Sequence, residues 1–327
     1  MNVGIIGSGG REHAICYMLN NSKKVSKIFC FPGNAGTSLI AQNINLDHDN
    51  FSELEEYCIK KEIKLLVVGP EKPLVNGIVN FFNGKSIKVF GPDEISSKLE
   101  GSKIFTKKIC QKKNIPTSKF KIFESLKETI DYLRSSNFPT VIKADGLASG
   151  KGVYICKNFE DAKEASEEIF NGKFGSAKQI LVEEFLEGEE MSYFVVTDGI
   201  NYKFFGSAQD HKRVGEGDTG KNTGGMGCYS PSRLLNNDLE LKIKTRIIEP
   251  TLNAINELGG VYKGFLYVGL MIKNNDPFLI EFNVRMGDPE CQTILPTLNT
   301  DLFDVLTSCC DGKLNQTSID FSRSKSI

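Results

Sequence analysis

The sequence predicts an α/β unit with a parallel sheet over residues 1–101, followed by an α+β unit over residues 102–327. Three observations predict this division. In the first hundred residues, short apolar runs alternate with helix-like segments. In the middle of the chain, successive strands follow one another with few helices between them. The length of 327 residues is typical of roughly two domains. The 40% apolar and 25% charged residues are typical of a globular protein.

Strands and helices alternate through the first unit. Strands are predicted at residues 3–6, 27–31, 65–68 and 87–90, and helices at 11–19, 51–63 and 73–82. Such alternation favours right-handed βαβ units, which bind ligands at the carboxyl ends of their strands. Three of those ends carry small or polar turn-forming residues, at 7–10, 32–37 and 69–71.

The second unit begins with a basic helix, predicted at residues 103–113. Short strands are predicted at 140–143, 152–156, 179–184, 192–197 and 202–206, interrupted by one helix at 161–170. Residues 209–232 show little periodicity and are predicted to form a functional loop. A helix at 238–258, strands at 264–272 and 278–284, a helix at 301–310 and a polar tail complete the predicted elements.

The composition disfavours several classes of protein. Lys and Arg number 40 against 41 Asp and Glu, so the formal net charge of −1 gives no overall field to recruit nucleic acid or an anionic membrane. No apolar run approaches the ~20 residues of a membrane span, and no basic segment followed by an apolar one predicts a signal peptide. Nine cysteines without a C-x-x-C pair are predicted to be reduced, buried thiols, which suits the cytosol.

Two glycine-rich segments imitate phosphate-binding fingerprints. The first, Gly7-x-Gly9-x-x-Glu12, has Glu where a dinucleotide fingerprint needs Gly or Ala, and no acid ends the second strand. A nicotinamide site is therefore disfavoured, which leaves a phosphate-binding loop or a simple tight turn. The second segment, residues 215–222, has P-loop spacing, but Asn222 replaces the Ser or Thr, and no strand and helix are predicted to flank it. That match is interpreted as coincidental.

Two further segments are candidates to bind a nucleotide. Lys143 ends a predicted strand, and a glycine-rich stretch with a second lysine, Lys151, follows it. Glycine backbones can wrap polyphosphate oxygens while ammonium groups neutralise them, although a hairpin with solvated lysines is the alternative. The strand at 179–184 turns acidic at its end, so its backbone could bond a purine and a carboxylate could bind ribose. A solvated turn explains that pattern equally well.

The sharpest signal lies at residues 281–285. Because side chains alternate along a strand, Glu281, Asn283 and Arg285 are predicted to share one face. A carboxylate and an amide oxygen suit Mg²⁺ that is also held by nucleotide phosphates, and the guanidinium can bind phosphoryl oxygens in a fork. The alternative is the polar face of an edge strand. The charged cluster at 210–213 is more commonly a solvated loop, and His13 is a candidate to face a ligand.

Together these segments resemble the glycinamide ribonucleotide synthetases (phosphoribosylamine–glycine ligases), a family of ATP-grasp enzymes in purine biosynthesis. The resembling stretches occur in the family's order, at 9–13, 32–37, 68–71, 101–103, 142–146, 150–152, 209–213, 222–227 and 281–290. The resemblance implies an N-terminal parallel-sheet domain (Rossmann-like, pre-ATP-grasp), followed by an ATP-grasp domain with a lid at about 118–190.

The resemblance also implies a reaction. Glycine's carboxylate would attack the γ-phosphate of ATP to give glycyl phosphate and ADP, and the amine of 5-phosphoribosylamine would then displace phosphate. Phosphoryl transfer relies on positioning and charge neutralisation, so no protein nucleophile is expected. The expected partners are these small molecules, with no nucleic acid and no membrane.

The resemblance implies four sets of site residues. ATP would be bound by Lys103, Lys143, Gly150, Lys151, the adenine hinge Glu183, Glu184, Phe185 and Leu186, and Glu190 at the ribose. Mg²⁺ or Mn²⁺ would be held by Glu281 and Asn283. Catalytic roles would fall to Arg285, Lys212 and Asp210. Glycine and phosphoribosylamine would be bound by Gly9, Gly10, Arg11, His13, Gly33, Asn34, Gly36, Thr37, Pro70, Glu71, His211, Arg213, Gly225, Met226, Asp288, Pro289 and Glu290.

The sequence departs from the family's pattern in two respects. The strand at 264–272 lacks the third acidic metal ligand that many ATP-grasp enzymes carry, so the metal is expected to rely on water and phosphate oxygens. The family usually continues into a small C-terminal domain, which is expected to be absent here, leaving its docking surface exposed or covered by a separate chain. The alternatives are an ATP-grasp carboxylate–amine ligase with another acceptor, and a nucleotide-binding protein weakened or silenced by truncation.

Overall fold

Five parallel strands form the sheet of the first unit, in the order β3-β2-β1-β4-β5. They are β1 (Asn2–Gly7), β2 (Lys27–Pro32), β3 (Gln42–Asn43), β4 (Ile63–Val68) and β5 (Lys88–Phe90). The computed structural model describes residues 1–147, 152–175, 179–216 and 219–327. Alternate residues of β1, β2 and β4 enter two separate apolar clusters, which explains why these strands are apolar on both faces.

Five helices accompany this sheet: α1 (Gly10–Asn20), α2 (Phe51–Lys60), α3 (Glu71–Val75), α4 (Ile78–Phe82) and α5 (Glu94–Gly101). The parallel α/β architecture is confirmed, with local corrections. The helix predicted at 51–63 ends earlier, because Ile63 already belongs to β4. Gly77, at φ +83°, divides the helix predicted at 73–82 into α3 and α4. Neither β3 nor α5 was predicted from the sequence.

A four-stranded antiparallel sheet opens the second unit, after α6 (Lys103–Lys113), in the order β6-β9-β7-β8. Its elements are β6 (Phe120–Phe123), α7 (Leu126–Leu133), β7 (Thr140–Ala144), β8 (Val153–Cys156), α8 (Phe159–Phe170) and β9 (Ile180–Glu184). Both helices pack on the sheet around Ile142. The helix predicted among the strands of residues 140–206 is α8, whereas α7, which has only eight residues and buries Thr129 and Leu133, was not predicted.

A second antiparallel sheet follows, in the order β14-β11-β10-β15-β16. Its strands are β10 (Glu189–Asp198), β11 (Tyr202–Asp210), β14 (Cys228–Tyr229), β15 (Lys263–Lys273) and β16 (Asp276–Asn283). Between β11 and β14 a hairpin pairs β12 (Arg213–Gly215) with β13 (Thr219–Asn222). The segment 209–232 is therefore not a plain loop, and its strands lack the apolar alternation that would have predicted them. No helix lies between β13 and β14, so the P-loop match is coincidental, as interpreted.

The remaining helices are α9 (Asn237–Ile243), α10 (Glu249–Glu257), α11 (Glu290–Ile294) and α12 (Leu302–Cys310). A wider π turn at Lys244–Ile248 joins α9 to α10, next to Pro250, which has no N–H for the ordinary helical ladder. The polar tail is docked on the fold: Phe321 pairs with Leu298, and its ring lies 5.6 Å from that of Phe205.

Both apolar clusters extend across the two units. Leu66 of β4 and Val268 of β15 belong to the same buried cluster, and the rings of Phe90 and Phe265 lie 4.9 Å apart. All nine cysteines are free thiols, and eight of them are buried, as predicted. Among the described residues, no helix combines the length and the apolarity needed to cross a membrane.

Candidate active site

A cavity between the two antiparallel sheets brings the predicted nucleotide-binding residues together. Lys103 at the start of α6, Lys143 on β7, and Glu281 and Asn283 on β16 all line it. These residues are far apart in the sequence, and the packing of α6 between the sheets places them around one space. Burial lowers the pKa of the Lys103 ammonium, whose Nζ donates a 3.0 Å hydrogen bond to the carbonyl of Gly146.

Glu281 and Asn283 occupy alternate positions of β16 and face this cavity. Within the described residues neither side chain makes a hydrogen bond or an ion pair. Burial would raise the pKa of the Glu281 carboxyl, but nearby cations, led by Lys212 and Lys143, hold it below its ordinary value. An ionised carboxylate beside an amide oxygen fits Mg²⁺ or Mn²⁺. No group of three His, Cys, Asp or Glu that could bind a metal alone occurs in the described part of the chain, so further ligands must come from a substrate or water.

Arg285 also lines the cavity, but its position is not set by strand alternation, since β16 ends at Asn283. Its guanidinium lies 2.6 Å from a Glu100 carboxylate oxygen and 3.3 Å from one of Glu71. Burial raises the pKa of Glu100 to about 7, although Arg285 opposes that shift. Glu100 was not predicted as a site residue, because it lies in a helix, α5, that was not predicted.

An apolar pocket adjoins the charged cavity and shares Lys143 and Glu281 with it. Its apolar wall is formed by Val141, Val153, Ile155, Phe185, Leu186, Met271 and Ile280, and its polar lining includes Glu184 and Glu190. An apolar wall of this kind suits a purine ring. All four predicted hinge residues line it with Glu190, whereas Gly150 and Lys151 lie outside the described residues.

The hinge residue Glu183 also forms ion pairs through its side chain. Its carboxylate is only 4% exposed and lies 3.0 Å from both Lys107 and Lys143. Burial would raise the pKa of Glu183, but the two lysines hold it below its ordinary value. Sequence reasoning missed Lys107, since nothing distinguishes it from the other lysines of a basic helix.

Asp210 and Lys212 border a smaller cavity that continues from Glu281 toward Ser192 and Tyr267. One oxygen of Asp210 is buried without a hydrogen-bond partner. Burial, together with the negative charge of Glu290, raises the pKa of Asp210 to about 7. Lys212 lies 3.4 Å from Glu190. This end of the cleft therefore offers a carboxyl group and an ammonium group side by side.

The neighbouring predicted residues shape this end of the cleft. Backbone hydrogen bonds from His211 to Gly227 and from Met226 to His211 hold the chain against β11. Gly225 has φ +119°, and a Cβ there would lie 2.9 Å from the Asp210 carboxylate, so glycine is required. Met226 is 59% exposed. Arg213 begins β12, and its side chain lies outside the described features.

The carboxyl ends of β1, β2 and β4 meet at one edge of the first sheet, as predicted for a ligand site. Asn34 donates hydrogen bonds to the carbonyls of Ser8 and Gly9, and Thr37, which is fully buried, bonds back to Asn34. Of the other predicted residues here, Gly33 has φ +75°, Gly36 packs against the His13 ring, Gly10 packs against Gln292, and Pro70 precedes α3. The edge is held together mainly by its own hydrogen bonds.

The position of the Glu12 side chain explains why the segment Gly7–Glu12 is not a dinucleotide-binding loop. Its carboxylate accepts a 2.6 Å hydrogen bond from the backbone N–H of Gly9 and pairs with Arg11 at 2.6 Å. A Cβ at Gly69 would lie 2.0 Å from the same carboxylate. Glu12 therefore fills the crevice between β1 and β4, which a dinucleotide would need.

The segment at 288–290 connects this edge to the cleft. The backbone N–H of Arg11 donates to Asp288, and the Arg11 guanidinium donates to the Met286 carbonyl. Glu290 is 4% exposed, with a carboxylate oxygen 3.0 Å from the Ser192 hydroxyl. Pro289 packs against Gly225. The predicted substrate residues of both units are thus contiguous.

The sequence of this chain, which forms the strand-end loops and the charged cleft, matches known families along most of its length. The family model described as "Phosphoribosylglycinamide synthetase, N domain" matches residues 1–100, and "Phosphoribosylglycinamide synthetase, ATP-grasp (A) domain" matches residues 101–291. The chain belongs to the phosphoribosylglycinamide synthetase family. The resemblance found in the sequence is confirmed.

Curated phosphoribosylamine–glycine ligases are similar along nearly the whole chain. That of Brucella melitensis is 43% identical over 322 residues, covering 98% of this chain and 75% of the relative. That of Haemophilus influenzae is 45% identical over 321 residues, with 97% and 75% covered. The chain thus spans about three quarters of the length of these synthetase-family relatives.

Solved structures agree on the fold. A phosphoribosylamine–glycine ligase from Thermotoga maritima has a TM-score of 0.82 at 33% identity, covering 95% of this chain and 76% of that one. The biotin carboxylase domain of a Hydrogenobacter thermophilus 2-oxoglutarate carboxylase, with a TM-score of 0.73 at 18% identity, covers 98% of this chain and 72% of that one. The second likeness shows the ATP-grasp fold alone. The predicted fold class, a parallel-sheet domain followed by an ATP-grasp domain, is confirmed.

Proposed function

We propose that this protein ligates glycine to 5-phosphoribosylamine with ATP, through glycyl phosphate, releasing ADP and phosphate. The observation that carries the proposal is the convergence of Lys103, Lys143 and the Glu281–Asn283 pair on one cleft. Phosphoryl transfer needs this combination of positive charge and metal-binding oxygens, and little else from the protein. Membership of the synthetase family supports glycine and phosphoribosylamine as the other two substrates.

In this proposal each group of residues in the cleft has its own task. The apolar pocket beside Phe185 and Leu186 holds the purine, and Glu190 at its border reaches the ribose. Lys103 and Lys143 neutralise the phosphates, and Arg285 steadies the transferring phosphoryl group with its fork of N–H donors. Glu281 and Asn283 would hold Mg²⁺ or Mn²⁺, which neutralises phosphate charge when bound.

The second half-reaction belongs to the end of the cleft near Asp210. Lys212 there attracts the carboxylate of glycine, and the strand-end loops around Gly9 and Asn34 receive phosphoribosylamine. When the amine attacks the acyl carbon, phosphate leaves and the nitrogen loses a proton. Asp210, whose pKa burial raises to about 7, is suited to take that proton near neutral pH. Asp288 holds the loop around Gly9 through the backbone N–H of Arg11, and Glu290 accepts a hydrogen bond from Ser192 at the border of the cleft.

The test is ADP release by the purified chain, with Mg²⁺ and with glycine and freshly generated phosphoribosylamine supplied singly and together. Sustained ADP release that requires both substrates, with glycinamide ribonucleotide found by mass spectrometry, is the expected result. Release with another carboxylic acid in place of glycine would indicate a ligase of different specificity. Binding of ADP without any turnover would contradict the proposal and indicate a silent nucleotide-binding protein.

A further inference from the structure

A buried network of charges stands behind the nucleotide cleft. Lys107 on α6 and Lys143 on β7 both pair with Glu183 on β9, at 3.0 Å each. The Lys107, Lys143 and Glu183 side chains are only 3%, 9% and 4% exposed. Two ammonium groups and one carboxylate thus leave one uncompensated positive charge next to the cavity.

The two lysines differ in what they bond. The Lys107 ammonium donates to the hydroxyls of Thr117, at 2.6 Å, and Ser118, at 2.7 Å, and it lies 3.0 Å from a carboxylate oxygen of Glu183. Ser118 in turn donates a 2.5 Å hydrogen bond to Glu183. Within the protein, Lys107 is thus held by two hydroxyl groups and one carboxylate.

Lys143 is held less completely. The Glu183 oxygen nearest to it accepts no hydrogen bond in the described residues, so the pair is an ion pair without a directed bond. Lys143 also donates no other hydrogen bond there. Its ammonium lines both the charged cavity and the purine pocket, which leaves its N–H groups available for a ligand.

We infer that Lys107 is a positioning residue for nucleotide phosphates: by neutralising Glu183 from behind, it leaves the charge of Lys143 available to the ligand. This inference rests on the proposed function, because it assumes that the ligand is a nucleoside di- or triphosphate. Without Lys107, Glu183 would pair with Lys143 alone. The cleft wall would then carry no net charge at this point, and its attraction for phosphate would fall.

The experiment compares binding of ADP and of adenosine, which share the purine pocket but differ in phosphate. For Lys107→Met we expect roughly tenfold weaker ADP binding by calorimetry, with adenosine competition unchanged. Lys107→Arg, which keeps the charge, should stay close to wild type. Lys108→Met, the exposed neighbour on the same helix, is the matched control and should change neither ligand.

A double variant separates the charge argument from damage to the fold. The double variant Lys107→Met with Glu183→Gln removes both charges of the Lys107–Glu183 pair. Lys143 then no longer faces a carboxylate, so ADP binding should be stronger than in Lys107→Met alone. Equal losses of adenosine and ADP binding in Lys107→Met, or no recovery in the double variant, would overturn the inference. A wild-type chain that bound no ADP would overturn the proposed function as well. Unchanged ADP binding in Lys107→Met would overturn only the role of Lys107.

Discussion

The strand-end edge of the first sheet and the cleft between the antiparallel sheets are both rich in polar groups, but they use them differently. At the edge, Glu12, Asn34 and Thr37 bond to neighbouring backbone and side-chain groups. In the cleft, Glu281 and Asn283 have no partner within the described residues. The side chains of the edge thus form a preformed frame, which leaves backbone groups for a ligand. These two polar side chains of the cleft are instead unpaired in the described part of the chain and available to bind a ligand directly.

This contrast predicts opposite phenotypes for two glutamates. Replacing the unpaired carboxylate of the cleft, Glu281, should remove activity and leave the fold intact, because no side-chain bond among the described residues depends on it. Replacing a carboxylate of the frame should cost stability first, because its partners would be left buried and unpaired. The predictions below run from the largest expected effect to the smallest.

Glu281→Ala should reduce metal-dependent ADP release by roughly 1000-fold, since it removes the only carboxylate of the proposed metal pair. The midpoint of urea unfolding should stay within error of wild type. Asp276→Asn, on the same strand but exposed, is the control and should keep full activity. Near-normal turnover of Glu281→Ala would remove this residue from the metal site.

Glu12→Ala should show the reverse pattern. It leaves the Arg11 guanidinium, 8% exposed, without its carboxylate partner, and the expected cost is about 3 kcal/mol in the free energy of unfolding. Urea titration measures this cost, and ADP binding at low temperature should persist because the cleft is untouched. A variant as stable as wild type would show that the frame does not depend on Glu12.

Asp210 should give a pH signature. Because burial raises its pKa to about 7, its carboxylate is charged only above that pH, and wild-type turnover should fall as pH drops through 7. The folded state also holds a proton that the unfolded state releases between about pH 4 and 7, so Asp210 lowers stability as pH rises through that window. Asp210→Asn should therefore lose roughly 100-fold in turnover and gain stability at high pH only.

An Asp210→Asn enzyme with an unchanged pH profile would exclude Asp210 as the titrating group. The matched control is Glu240→Gln, an acidic residue of α9 outside the cleft, which should keep both the wild-type profile and the wild-type rate.

Asn34→Ala should have the smallest effect. It removes the two hydrogen bonds that tie the second strand-end loop to the first, at a cost of about 1 kcal/mol. The KM for phosphoribosylamine should rise several-fold while the KM for ATP stays constant, because the loops lie away from the nucleotide pocket. Equal changes in both constants would show that the edge and the cleft are not separable.

Much of this picture follows from local patterns. The β1–α1 and β4–α3 junctions are predictable because an apolar run followed by glycine and a helix signal has few other solutions. Glu281 and Asn283 share a face because a strand alternates. Helix α7 was not predicted because its eight residues make only about two turns, too few for a helical period to stand out. The hairpin at Arg213–Asn222 was not predicted because its strands lack apolar alternation, and their pairing with each other defines them instead.

The sequence by itself determined the family, the fold class and the chemical kinds of group available for ATP, metal and acceptor. Only the tertiary structure decided which charges meet. Arg285 pairs with Glu100 from 185 residues away, and Glu183 turns its side chain toward Lys107 and Lys143 while its neighbours line the purine pocket. Ion pairs of this kind depend on distance and burial in three dimensions, and no periodicity along the chain encodes either.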